Sequence, residues 1–375
     1  MTGRRSPAIH YHRSYDKQID VDWTTMVDRI TKDTDQQASI FMQQKLKSGS
    51  SDQKPFIFQA ILEQSFALMI NRFGNFLVQR QFELGTPEQI ALLADTMRGH
   101  ILQLTCEPFG CHVVQKALDY VEESTKAELV SELLTSISET ITHKYACHVW
   151  QKIFEINWSP SASPPPIMEC LHEALQGQWA RIALDETGSL VIQNIFENKS
   201  EKDKRPILNE VLDNIASIAK GQWGNWVIQH ILEQAERDED RERAFEIVIK
   251  EAVQLSTDQF ASKVVEKALR IGGNQFLARF IKRITTNTSI KHDTVSHTTP
   301  SQHRIGIMDI ASDQYGNYVA QWLINNASEE QKLHISRLIK RHMVSLRGTK
   351  YGQRVAFLVE KVLRNQEITT YPKSN

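Results

Sequence analysis

A seven-residue string returns along this 375-residue chain at nearly constant spacing. Its form is aromatic, Gly or Ala, small polar, variable, apolar, apolar, then Gln or Glu. It reads FGNFLVQ at Phe73–Gln79, FGCHVVQ at Phe109–Gln115 and YACHVWQ at Tyr145–Gln151. WGNWVIQ at Trp223–Gln229, FASKVVE at Phe260–Glu266 and YGNYVAQ at Tyr315–Gln321 follow, with looser copies QASIFMQ at Gln37–Gln43 and TGSLVIQ at Thr187–Gln193. Ser39, Asn75, Cys111 and Cys147 succeed one another every 36 residues; Ser189, Asn225, Ser262 and Asn317 follow after 42, 36, 37 and 55. A fixed period of this length builds a solenoid, whose units bury their apolar faces only by stacking on their neighbours. One chemical pattern on one face of every unit implies a periodic ligand.

The string after its Gly or Ala reads as a helix, so the expected fold class is all-α. Its two middle positions are apolar in every copy, from Phe41-Met42 and Leu77-Val78 to Val264-Val265 and Val319-Ala320. A further apolar residue follows about four positions on, as in Phe82, Leu118, Phe154 and Leu232, which is a helical period. A second helical pattern precedes each string, such as ALLADTMRGHILQL or RAFEIVIKEAVQL, giving two main helices per unit with room for a short third. Two intervals exceed the period. The first holds SPSASPPP, which no helix crosses, and the second a Thr/Ser-rich polar stretch, placing loops at about 158–166 and 285–304. VDWTTMVDRI reads as an N-terminal cap and Thr349–Leu363 as a degenerate last unit, with Gln353 36 residues after Asn317. The expected organisation is one repeat domain over 21–364, between a flexible extension 1–20 and a tail 365–375.

Hydrophobic residues at 41% and charged residues at 24% suit an ordered helical chain, and no apolar run approaches a membrane span. The four cysteines, Cys106, Cys111, Cys147 and Cys170, form no CxxC pair, and the polar N-terminus is no secretory signal; a reduced, cytoplasmic setting is expected. The formal net charge is −1, which argues against a chain that grips phosphates everywhere. It leaves open a local groove that reads bases.

Counting from the small polar residue, positions one and five form an i,i+4 pair on one helix face, with position two rotated about 100° to its side. The pairs are Ser39/Gln43, Asn75/Gln79, Cys111/Gln115, Cys147/Gln151, Ser189/Gln193, Asn225/Gln229, Ser262/Glu266 and Asn317/Gln321. Position two is Ile40, Phe76, His112, His148, Leu190, Trp226, Lys263 and Tyr318. Two hydrogen-bonding groups grip one planar edge, and a flat neighbour stacks on its face. Packed helices lie ~8–10 Å apart, and bases separated by an inserted side chain repeat at ~7 Å, twice the ~3.4 Å stack. The lengths match once the inner face of a curved stack shortens, giving one base per repeat. Armadillo and HEAT arrays share a similar period, so a protein-binding scaffold is the competing reading; it gives no reason for Phe76, Trp226 and Tyr318 at one phase beside Asn/Gln pairs.

From about Asp22 to Leu363 the chain resembles the PUF (Pumilio) family of RNA-binding domains, of fungal type. FGNFLVQ, FASKVVE and YGNYVAQ resemble its repeat signatures, and LMINRFGNFLVQRQFELGTPEQ is typical of its second repeat. The resemblance implies a curved, right-handed superhelix of eight three-helix repeats with capping half-repeats, reading single-stranded RNA one base per repeat. It implies an antiparallel strand, with Asn/Gln reading uracil, Ser or Cys with Gln reading adenine, and Ser/Glu reading guanine. The implied site is 5′-UGUAAAUA-3′ in mRNA 3′ untranslated regions, with a shorter UAAU-type core as runner-up. Deadenylase or translational-repressor proteins are the implied partners, on the convex face or the loops; no membrane is expected. The guanine assignment also follows from chemistry: Glu266 is acceptor-only, and guanine's Watson–Crick edge offers two donors. Ile40, Leu190 and Lys263 depart from the usual stacking groups, and Ala146 and Ala261 from the glycine.

His143, Cys147 and His148 sit close in sequence, but the last two diverge by about 100° on a helix and no second cluster exists. No cofactor and no enzyme activity are expected, since no phosphate-binding, nucleophile-elbow or HExxH string occurs and Glu266 stands alone on its face. Arg80, Lys116, Lys152 and Lys267, one residue past position five, read as solvated side chains within reach of phosphates.

Overall fold

The computed structural model describes residues 21–286 and 306–370, and its regular structure there is 26 helices with no strand. The chain divides into two compact units, Met1–Gln176 and Gly177–Asn375, where the sequence reads as one elongated domain. Within each unit the repeat is a long helix, a short helix and the motif helix. Pro87–Asp95, Ile101–Cys106 and Gly110–Tyr120 show it in the first unit; Asp238–Lys250, Ala252–Ser256 and Ala261–Ile271 show it in the second.

The short helix divides what looks continuous in sequence. ALLADTMRGHILQL breaks at Gly99, whose φ of 76° is left-handed backbone that favours glycine. The broken end is then capped from the next repeat: Glu132 accepts from Gly99 N at 2.9 Å and Ile101 N at 2.8 Å. Glu210 does the same in the second unit, for Gly177 N at 3.0 Å and Ala180 N at 3.3 Å. A carboxylate at a helix N-terminus satisfies orphan amides and opposes the dipole.

Each motif helix starts under two local constraints. In five repeats an Asp or Asn three residues before the Gly/Ala position (Asp35, Asn71, Asp185, Asp258, Asp313) accepts from two successive backbone amides. The glycine itself allows close approach: a Cβ at Gly74 would lie 2.7 Å from Leu68 O, and one at Gly224 2.4 Å from Ile218 O. The two apolar residues that follow position two are buried from Leu77-Val78 through Val319-Ala320, so these seven repeats anchor their motif helices in the same way; in the first repeat Met42 is buried and Phe41 half-buried. Trp150, fully buried, donates from Nε1 to Thr140 Oγ1 at 3.1 Å.

Residues 156–166, around the expected proline loop, carry no helix, and Ser159 N donates to Glu123 at 2.9 Å. The expected N-terminal extension 1–20 and nearly all of the 285–304 loop lie outside the described residues. Trp23, in the expected N-terminal cap, stacks on Phe41 with centroids 6.2 Å apart. The last helix runs Gly352–Thr370, through the expected boundary at 364. No helix among the described residues is long and apolar enough to cross a membrane.

Candidate nucleic-acid interface

The three recognition positions differ sharply in exposure. Position one is buried in all eight repeats, from Cys111 at 0% to Cys147 at 8% relative exposure. Position two is exposed in all eight: Ile40, Phe76, His112, His148, Leu190, Trp226, Lys263 and Tyr318. Position five is half-buried, except Gln151, which is exposed. The structure sets position one beneath position five, and the Asn side chains at position one turn onto carbonyls of the turn before the helix.

The three Asn/Gln repeats are built alike. Asn75 Nδ2 donates to Asn71 O and Arg72 O, both at 2.9 Å, and its Oδ1 accepts from Gln79 Nε2 at 2.9 Å. Asn225 with Gln229 and Asn317 with Gln321 repeat this network, with Gln-to-Asn distances of 2.9 and 2.8 Å. One Gln hydrogen is thereby pinned, and the carbonyl oxygen and second hydrogen keep a fixed direction. In the first repeat Ser39 Oγ donates to Phe73 O at 2.8 Å and accepts from Gln43 Nε2 at 3.0 Å. Ser189 Oγ donates to Glu186 O at 2.9 Å, and Gln193 Nε2 to Ser189 O at 3.1 Å. Gln115 Nε2 likewise donates to Cys111 O at 3.0 Å.

Two repeats stand apart. Gln151 turns away from Cys147 and donates to Glu155 at 3.1 Å. Ser262 and Glu266 have no side-chain hydrogen bond or ion pair to any described residue. The cysteines are neutral groups: burial pushes the Cys111 thiol up to about 11, and burial also raises that of Cys147. Cys147 Sγ faces Lys144 O at 3.2 Å and His143 packs edge-on against Tyr145, so these residues serve the turn before the helix.

Position two also has a defined spacing in one pair of repeats. The His112 and His148 rings, from successive repeats, are near-parallel at 25° with centroids 6.4 Å apart. Two aromatic layers with a base between them need ~7 Å, twice the ~3.4 Å stack. The slot is therefore close to one base thick before any ligand enters.

The profile of the Pumilio-family RNA binding repeat (PUF) matches residues 34–62, 64–96, 100–134, 137–157, 178–212, 214–249, 251–285 and 306–339. The chain belongs to the PUF family. It is 46% identical over 369 residues to "Meiotic coiled-coil protein 2" of Schizosaccharomyces pombe, covering 98% of this chain and 50% of that protein. To "Meiotic PUF family protein 1" of the same organism it is 40% identical over 339 residues, covering 90% and 56%. The PUF chain thus spans about half the length of these curated relatives. Among solved structures, the Puf3 RNA binding domain bound to a Cox17 RNA 3′ UTR recognition sequence aligns with a TM-score of 0.67 at 28% identity. The alignment covers 91% of this chain and 97% of that one.

The basic residues beside position five have a structural task in these PUF repeats. Lys116 pairs with Glu83 at 2.8 Å, Lys152 with Asp119 and Lys267 with Glu233, each acid lying on the preceding motif helix. His230 faces Glu197 at the same place, 3.9 Å away. Arg80 instead pairs with Glu83 of its own helix at 2.6 Å. The signal was present in sequence as a cation 33 or 34 residues after an acid, a pairing visible only once the repeat is folded in register.

Proposed function

We propose that this chain binds single-stranded RNA by sequence, one base per repeat, with 5′-UGUAAAUA-3′ as its preferred site. The reading rests on one observation above all. Eight exposed position-two side chains flank eight accessible amides or carboxylates at a single helical phase. Single strands are favoured because such groups need free base faces and Watson–Crick edges. In the Asn/Gln repeats, the pinned Gln offers one acceptor and one donor, which complements the N3–H and carbonyl oxygens of uracil. In repeat 7, the unpartnered Glu266 carboxylate accepts from guanine N1–H and N2–H. The strand runs antiparallel to the protein, so repeat 8 holds the 5′ base.

On this reading the protein acts on mRNA through 3′ untranslated regions in the cytoplasm. Regulation is executed by recruited deadenylase or repressor proteins rather than by catalysis. Selection of bound RNA from a random pool, with duplex RNA as competitor, tests it. Enrichment of a UGUA-containing single strand is expected. A pool enriched only in UAAU without the guanine would move the reading to the shorter core, and equal retention of duplex would overturn it.

A further inference from the structure

A cavity of about 150 Å³ opens beside the last repeat, lined by Asn317, Tyr318, Lys350, Tyr351 and Arg354. It stands where a ninth repeat would begin, since the family match ends at residue 339 and Gln353 lies one period after Asn317. By that register Arg354 occupies position two and Phe357 position five. Phe357 is 68% exposed and has no group with which to hydrogen-bond a base edge. Gln353, at position one, donates its amide back to Arg347 O at 3.4 Å. The terminal unit keeps the helix of a repeat without its edge reader.

What it presents instead is positive charge. Lys350 and Arg354 are both exposed, and neither is ion-paired to a described residue, whereas nearby Arg347 is paired with Glu360. Lys350 Nζ lies over the Tyr351 ring, 5.4 Å from its centroid, which holds the ammonium at the cavity wall. No carboxylate lines the cavity. The helix Gly352–Thr370 begins here, and its N-terminal dipole adds to the positive potential. The volume equals about five waters of liquid, room for a phosphate group and its hydration.

We propose that this cavity holds the RNA phosphate that flanks the nucleotide bound by Asn317, Tyr318 and Gln321. The inference rests on the RNA reading above, and with the strand polarity given there the group is the phosphate on the 5′ side. Arg354 supplies a fork of donors matched to phosphate oxygens and Lys350 a point charge. The contact extends affinity by one phosphate without adding a letter to the site.

The test compares the affinity of the intact chain for UGUAAAUA carrying a 5′-hydroxyl, a 5′-phosphate, a 3′-phosphate, or one further 5′ nucleotide of each base. The 5′-phosphate and all four extended RNAs should bind about five- to tenfold tighter than the 5′-hydroxyl RNA. Lys350→Gln with Arg354→Gln should bring them within about twofold of it and lower the salt slope by about 0.7, the value for one single-strand phosphate. A gain for the terminal monoester alone upholds the phosphate site and makes it an end reader. Equal wild-type affinities, a gain confined to one upstream base, or a gain that survives the double substitution would each overturn the proposal. A gain from the 3′-phosphate that the double substitution abolishes upholds the site and reverses the polarity. Failure to bind any of these RNAs would overturn the UGUAAAUA site on which this proposal rests, and the proposal with it.

Discussion

Repeat 6 places Gly224, Asn225, Trp226, Gln229 and His230 where repeat 7 places Ala261, Ser262, Lys263, Glu266 and Lys267. Between these, the apolar residues Val227-Ile228 and Val264-Val265 are equally buried. In repeat 6 the reader is tied down, with Gln229 Nε2 on Asn225 Oδ1 at 2.9 Å and Asn225 Nδ2 on two carbonyls. In repeat 7 the Glu266 carboxylate has no described partner. The contrast shows how one framework carries different chemistry: burial fixes the two apolar positions, and the five positions around them vary without disturbing it.

The largest expected effect concerns the framework. A Cβ at Gly224 would meet Ile218 O at 2.4 Å and Ile218 Cγ2 at 2.8 Å, and backbone does not move aside cheaply. Gly224→Ala should therefore cost about 3 kcal/mol, the upper range for overpacking. Ala261→Gly in the neighbouring repeat should cost only about 0.5–1 kcal/mol of helix propensity. Urea denaturation of the two variants checks the asymmetry, and equal losses would mean that close approach is not why repeat 6 has glycine.

A smaller difference is expected at position two. Trp226, 54% exposed, offers a full aromatic face, and Trp226→Ala should weaken RNA binding by about 2 kcal/mol. Lys263→Ala should cost about 1 kcal/mol or less, as should Leu190→Ala, since neither side chain has a π-face. Titrations that rank Lys263 or Leu190 above Trp226 would break the stacking assignment for those repeats.

The smallest effect separates His230 from Lys267. Burial holds the His230 imidazole below its ordinary value, against the opposing pull of Glu197 and Glu233 and with the help of Lys204. The unfolded chain, with a pKa near 6.5, then takes up the proton more readily than the folded one. Stability contributed by neutral His230 is present above about pH 6.5 and declines as the pH falls below it. His230→Gln should flatten the stability profile between about pH 7 and 5, read from denaturation midpoints. An unchanged profile would place the acid sensitivity elsewhere.

The period carried most of the fold. Apolar pairs every 36 residues could satisfy only a stacked helical repeat, and the short spacing within each string placed the motif helices. The short third helix was harder to see, because Gly99 breaks a pattern whose hydrophobic phase continues across it. The same limit applies to the site. Exposure of Phe76 or Tyr318 follows from helical phase, but the inward turn of Asn75 onto Asn71 O and Arg72 O depends on a rotamer and on the path of the turn before the helix. The diversion of Gln151 to Glu155 is likewise a choice between two neighbours that spacing alone does not make. The ion pairs from Lys116, Lys152 and Lys267 needed the register between repeats before their partners could be named.

The comparison between repeats 6 and 7 is tested most directly by exchanging their readers. Ser262→Asn with Glu266→Gln gives repeat 7 the pair that repeat 6 carries, and two RNAs, UGUAAAUA and UUUAAAUA, report the outcome. The wild type should prefer the guanine RNA by about 1–3 kcal/mol and the double variant the uracil RNA by a similar margin. A wild type indifferent to the second base, or a double variant that still prefers guanine, would contradict the assignment of base choice to these two positions.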